Sequence, residues 1–474
     1  MKKGIALVAL AAGVLALGGG PAPGKAAPMA GTTLADQTGI AITIYNDNLA
    51  LVKDTRSVTL SDGTFPFKFE DVAANIDPTS ISIVSLNDPA NFSVLEQNYE
   101  YDLVNTQALL TKYLGKEVWL VPKDKTDTDE KTVATLLSTD GVYKIGEQIA
   151  INPPGRVVLP ALPEGLISKP TLVWLLDSGK QEKHTLQASY LTSGMQWKAD
   201  YVAVLNDKDN KLDLTGWVTI TNSSGGTYKN ATLKLVAGTV HRAPAPQPPY
   251  AMEGARMMAA KAAPQFAEES FFEYHLYTLD RPTTVADNET KQMTLLEANN
   301  AAVAKKFQLE GQRYYYQSRV SEKQEEKIGV YLELVNSKAN NMGIPLPKGT
   351  FRVYKKDSSG SLQFIGEDSI DHTPKDETIR VKIGDAFDIA ADRVQTDYRP
   401  TSDGSAVEVA FDITVGNHKN EDVVVEDLEP VWGEWKVISS TLDWQKASAT
   451  FIRYAIPVKA NGKTVLSYRI RTHW

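Results

Sequence analysis

Asp368, Asp371, His372, Asp376 and Glu377 crowd one short stretch, and Asp385 and Asp388 follow a strand-like run from Ile379 to Ile383. Carboxylates and a histidine gathered at one end of a sheet could bind a divalent cation or polarise a bound group, because hard cations take oxygen donors and imidazole titrates near neutrality. Asp368, Asp371, His372 and Asp385 are therefore the candidate metal ligands. The same residues also have a reading without a ligand: Asp371 caps a turn, and Thr373 sets the chain ahead of Pro374.

The other reactive residues are scattered. The six histidines, His184, His241, His275, His372, His418 and His473, include no two within five positions, so the helical spacing of a zinc protease is missing. There is no G-x-S-x-G elbow and no Gly-rich phosphate loop. Cysteine is absent, which removes thiol chemistry, disulfides and Cys-ligated metal. The turn Asn206-Asp207-Lys208-Asp209-Asn210 is oxygen-rich, but an EF-hand counted from Asp207 needs Gly and Glu where Leu212 and Val218 stand. It reads as a solvated hairpin tip. Asp124, Asp127, Asp129 and Glu130 read as a charged loop. No cofactor site follows from these residues, and catalysis is not the expected activity.

The elements that carry these residues are strands. Leu212, Leu214, Val218 and Ile220 alternate with Asp213, Thr215, Thr219 and Thr221; after Asn222-Ser223-Ser224-Gly225-Gly226 the alternation resumes at Ala231, Leu233 and Leu235. Period two with a Gly/Asn turn predicts a hairpin with one buried face. The same reasoning predicts a return strand at Val423 to Val425 after the turn Asn417 to Asp422. It also predicts a hairpin at Asn461-Gly462 joining Ile452-Tyr454-Ile456-Val458 to Leu466-Tyr468-Ile470. One helix is expected from Thr106 as N-cap to Gly115.

The expected fold class is all-β and multidomain: a small N-terminal β domain, an SH3-like small barrel, then immunoglobulin-like β-sandwiches. The expected boundaries are a signal peptide over 1–30, the N-terminal domain over 36–114 and the barrel over 115–168. A sandwich region over 169–400 interrupted by the Pro/Ala/Met-rich loop 241–268 follows, then a terminal sandwich over 401–474.

Lys2 and Lys3, the apolar run Ile5 to Leu17, and the small residues to Ala30 form a secretory signal, since that run is shorter than the ~20 residues a membrane span needs. Its removal takes Lys2, Lys3 and Lys25 and no acid, so a chain of net charge −8 becomes more acidic. That balance argues against nucleic acid, which demands a concentrated basic face. No other segment is apolar enough for a transmembrane helix. The protein is expected to be exported, to the periplasm or the cell surface.

YLTSGMQWKADYVAVL, WVTITNSSGGTYKNATLKLVAG, EYHLYTLDRPTTVADNETKQMTLLEA and GEDSIDHTPKDETIRVKIGDAFDIAADR lie between roughly Ser189 and the C-terminus. As a set they resemble the bacterial DUF4139 family, a domain of unknown function, some members of which are described as mucoidy inhibitor-like. The resemblance covers more than half the chain and implies an exported or envelope-associated β protein, without implying a reaction. Two functions are expected on this footing. One is a structural or interaction module whose partner is an envelope protein or polysaccharide. The other is a secreted hydrolase or carbohydrate-active enzyme whose residues converge from distant loops. Calorimetric titration with calcium and zinc separates the two readings of the acidic stretch: heat and a raised Tm for a cation site, neither for a capped turn.

Overall fold

A computed structural model of the chain describes residues 30–100, 104–123, 131–161, 163, 166–167, 169–238, 240–241, 266–320, 322–402 and 404–473. The expected signal peptide, apart from Ala30, lies outside these residues. So do the acidic group Asp124, Asp127, Asp129 and Glu130, and the span 242–265 with Met252, Met257 and Met258. The fold is all-β, and its chain forms two compact units.

The first unit comprises the described part of Met1–Ala35 with Thr59–Glu70 and Asp88–Lys183. Its four-stranded sheet runs in the order Ala30–Thr32, Gly63–Glu70, Thr171–Ser178, Phe92–Glu100. Phe67, Phe69, Leu172, Trp174 and Leu176 are buried on it, with Phe69 and Trp174 edge to face at 5.7 Å. The second sheet lies where the small barrel was expected, but among the described residues it stays open, with Gln148–Ile151 and Arg156–Val158 at its two edges. Glu117–Val121, Thr132–Ser138, Val142–Ile145 and Gln148–Ile151 form a meander, and Arg156–Val158 returns to pair with the first of them. The helix Thr106–Lys112 is capped not by Thr106 but by Asn105, whose Oδ1 accepts the amide of Ala108 at 2.8 Å. Gly115, at φ 74°, then turns the chain into the first strand, as glycine can at little cost.

The second unit comprises Asp36–Val58, Asp71–Asn87 and His184–Trp474. Gln37–Tyr45 pairs in parallel with Tyr228–Ala237, so part of the expected N-terminal domain belongs to a sheet completed two hundred residues later. The expected break after residue 400 does not part the sheets either. Thr378–Pro400 is one strand, paired with Gln324–Val335 at its start and with Ala406–Asn417 at its end. The resulting nine-stranded sheet curls so that its inner faces share one core, with Tyr454 and Tyr468 stacked at 5.3 Å across it.

All three expected hairpins are corrected. Lys211–Asn222 and Tyr228–Ala237 lie in different sheets; Ala406–Asn417 and Val423–Pro430, and likewise Phe451–Val458 and Lys463–His473, are not neighbours in theirs. Each turn is an arch that carries the chain across a core. Alternation cannot distinguish the two, because a strand with one buried face shows period two whether its successor lies beside it or opposite it. The hairpin at Asn206–Asn210 is real: Met195–Leu205 pairs with Lys211–Asn222 throughout.

A buried asparagine holds each of three arches. Asn222 donates to the carbonyls of Gly226 and Ala286 at 2.8 Å each, and its Oδ1 accepts Ser224 N at 3.1 Å. Asn336, which follows Gln324–Val335, donates to Ile344 O at 2.8 Å and Pro374 O at 3.0 Å and accepts Gly343 N at 3.0 Å. Asn417 donates to Glu421 O at 2.8 Å and Lys459 O at 3.2 Å and accepts Lys419 N at 3.0 Å. Each buried amide bonds part-buried carbonyls from two segments outside the strand ladders. Asn417→Ala or Asn336→Ala should cost about 1–3 kcal/mol, the desolvation of the groups left unpaired. Urea unfolding checks this, and a loss below about 0.5 kcal/mol, the scale of an ordinary surface change, would contradict it.

Candidate functional site

The largest concentration of charge in the interior lies in the nine-stranded sheet, around Arg393. Ile389, Ala391 and Arg393 all point into the core, as do Val423, Val425, Asp427 and Glu429 on their own strand. Continuing the apolar parity thus drives a guanidinium and two carboxyls inward. Arg393 Nε contacts Glu326 Oε1 at 2.8 Å, Nη1 donates to the Tyr468 hydroxyl at 3.0 Å, and Nη2 lies 2.7 Å from Glu429 Oε1 and 3.7 Å from Asp427 Oδ1. The Nη2–Glu429 approach is an ion pair without hydrogen-bond alignment. Tyr316 completes the group, donating to Glu429 Oε2 at 2.5 Å beside Tyr468 at 3.0 Å. Gly311 lies against Glu429, where a Cβ would strike the carboxylate.

Three carboxyls face one guanidinium, so the cluster carries more acid than it can neutralise. Burial, and then Glu429, push the Asp427 carboxyl well above the usual carboxylate range against the pull of Arg393. For Arg393, burial opposes the charge, and Glu429, Tyr468, Asp427 and Glu326 outweigh it, so the guanidinium is held charged. Asp427 and Glu429 are fully buried. No substrate atom reaches them, which makes the cluster a structural element.

The expected metal ligands do not converge. Asp368 accepts the amides of Ser369 at 2.8 Å and Lys382 at 2.7 Å. The Asp371 carbonyl accepts the Thr373 hydroxyl at 2.9 Å. His372 Nδ1 accepts Lys348 N at 3.2 Å, and burial, followed by the charge of Lys348, lowers its pKa. Asp385 lies 3.3 Å from Lys382 and 3.8 Å from Lys327. Among the described residues no three His, Asp or Glu side chains gather as a metal would need.

Two surface features remain. The first is an open hollow of about 250 Å³ on the same sheet, walled by Gln308, Glu310, Gln312, Glu326, Tyr331 and Lys382. The second is the edge strand Gln148–Ile151, where Ile149 is 67 % and Ile151 73 % exposed. Its neighbours on the open face, Val133 and Leu137, are exposed too. Trp119 opposite Val133 is instead covered, by Lys131 Nζ 3.3 Å above its ring and by Glu117 accepting its indole N–H at 3.2 Å.

The chain matches no known protein family model, and no curated protein is similar to it.

The Asp427 contribution to stability should fall as pH rises above the ordinary carboxylate range. A carboxyl whose folded pKa is raised favours the folded state fully below its unfolded pKa, and the advantage is lost on the way up through the folded value. In Asp427→Asn, which cannot ionise, the slope of Tm against pH above the ordinary carboxylate range should flatten; an unchanged slope would contradict the assignment. Arg393→Met, which strands the carboxylates, should cost about 3–5 kcal/mol.

Proposed function

We propose that the protein is an exported cell-envelope β protein of the DUF4139 type, and that it works by binding: an extended segment of an envelope protein adds to the sheet along Gln148–Ile151. Export is supported by the basic, apolar and small-residue succession over Met1 to Ala30. The family is supported by the four quoted stretches.

The observation that carries the binding reading is an edge left unguarded. Proteins blunt open strands with lysine, proline, bulges or a covering loop, because unpaired N–H and C=O groups recruit other chains. Gln148-Ile149-Ala150-Ile151 carries no charge and no proline within the strand, pairs only with Val142–Ile145 among the described residues, and turns two bare isoleucines outward. Strand addition satisfies the backbone groups and buries those side chains at alternate positions. The hydrolase reading has less behind it, since the strongly shifted carboxyl, Asp427, is sealed from solvent.

The test uses the full chain as bait on native envelope extract, beside Ile149→Lys/Ile151→Lys. Both positions are exposed, so the variant should melt where the parent does, within about 0.5 kcal/mol of its stability. Wild type should retain a partner that the variant loses. Identical retention by the two would overturn the reading.

A further inference from the structure

The hollow on the nine-stranded sheet is built rather than incidental. Thr378–Pro400 bulges twice against Gln324–Val335, with its extra residues between Asp385 and Ala390, opposite Lys327 and Gly329, and between Lys382 and Gly384, opposite Val330 and Tyr331. Bulges re-aim side chains and recur beside binding sites. At the same point Gly329 pairs with Gln308, and no side chain stands over the floor. A Cβ there would press on the Tyr331 ring, which lies flat along the strand with the Arg380 guanidinium 4.3 Å from its centroid.

The walls select by chemistry. Glu326 contributes a side chain only 8 % exposed; its Oε1 is fixed by Arg393, its Oε2 is buried without an aligned donor, and the Tyr315 phenol bears on the same carboxylate. The buried cluster therefore holds one acceptor rigidly at the edge of the hollow. Glu310 accepts an amide hydrogen from Gln308, whose own oxygen accepts from Arg380, so both are oriented. Lys382 is held by Asp385. Gln312 is exposed and adds an amide that both donates and accepts.

This lining excludes most ligand classes. Its apolar surface is confined to Leu309, Gly329 and the Tyr315 and Tyr331 rings among polar and charged groups, so a purely apolar ligand gains little. A phosphate would face Glu310 and Glu326, and an ammonium would face Lys327 and Lys382. A neutral group that both donates and accepts at several points meets no unpaired partner. We infer that the hollow binds one neutral sugar unit, its hydroxyls donating to Glu310 and Glu326 and accepting from Gln312 and Lys382. This site is separate from the strand edge at Gln148–Ile151 and does not depend on that reading.

The experiment is calorimetric titration of the full chain with glucose, N-acetylglucosamine and a cellotetraose, with inorganic phosphate and lysine methyl ester as anionic and cationic probes. At least one neutral sugar should give saturable heat, and phosphate and the ester none. Glu310→Ala and Gln312→Ala, both at exposed positions, should each weaken that sugar about tenfold. Gly329→Val, which would drive the Tyr331 ring across the floor, should abolish binding. A tighter tetraose than monosaccharide identifies a glycan chain as the source; equal affinity identifies a free sugar. The inference is overturned if no neutral sugar binds, if phosphate or the ester binds instead, or if the Glu310 and Gln312 variants bind as the parent does.

Discussion

A strand with one apolar face must hide that face while keeping every backbone N–H and C=O supplied with a partner, and most of this protein follows from meeting both demands at once. Ladders meet the second demand inside the sheets. They fail wherever the chain arches over a core instead of turning to the adjacent strand, because the carbonyls at the crossing have no neighbouring strand to bond. Asn222, Asn336 and Asn417 stand at three such crossings and use a side-chain amide where a ladder would have used a backbone. Three arches of different sequence have thus converged on the same residue type for one physical reason.

The first demand is relaxed in one place. Asp427 and Glu429 continue the inward parity of Val423 and Val425, and Arg393 that of Ile389 and Ala391, so the core must absorb charge where it would otherwise hold methyl groups. It does so by converging them. Four strands and the turn at Arg313–Tyr316 supply the guanidinium, the three carboxyls and the two phenols, and the surplus acid shows as an Asp427 pKa held well above the usual carboxylate range. A buried network of this kind commits the strands to one register, since a slip by one residue would turn every one of its members toward water.

The all-β class was legible in the alternation, as were the short strands of the small open sheet. The partners of those strands were not. Asn461-Gly462 reads as a hairpin because its residues suit a tight reversal, yet Ile452, Tyr454 and Ile456 face Leu466, Tyr468 and Ile470 across a core instead of lying beside them. The long strand Thr378–Pro400 likewise hid the continuity of the sheet, since its bulges interrupt the parity that would have betrayed it. The candidate ligands Asp368, Asp371, His372 and Asp385 were chosen for crowding in sequence, whereas backbone amides and lysines claim them in space. The charged cluster did leave a signal: acidic residues at positions where the alternation calls for valine.

The same two demands single out the place where the described structure stops short. Among the described residues Gln148–Ile151 has one ladder and an apolar outward face, with no lysine or proline within the strand. Hydrogen–deuterium exchange over residues 148–151, in the full chain alone and with its captured envelope partner, tests this most directly. Those amides of the strand that point away from Val142–Ile145 should exchange freely in the isolated chain and become protected in the complex. Protection already present in the isolated chain, or exchange that the partner leaves unchanged, would contradict it.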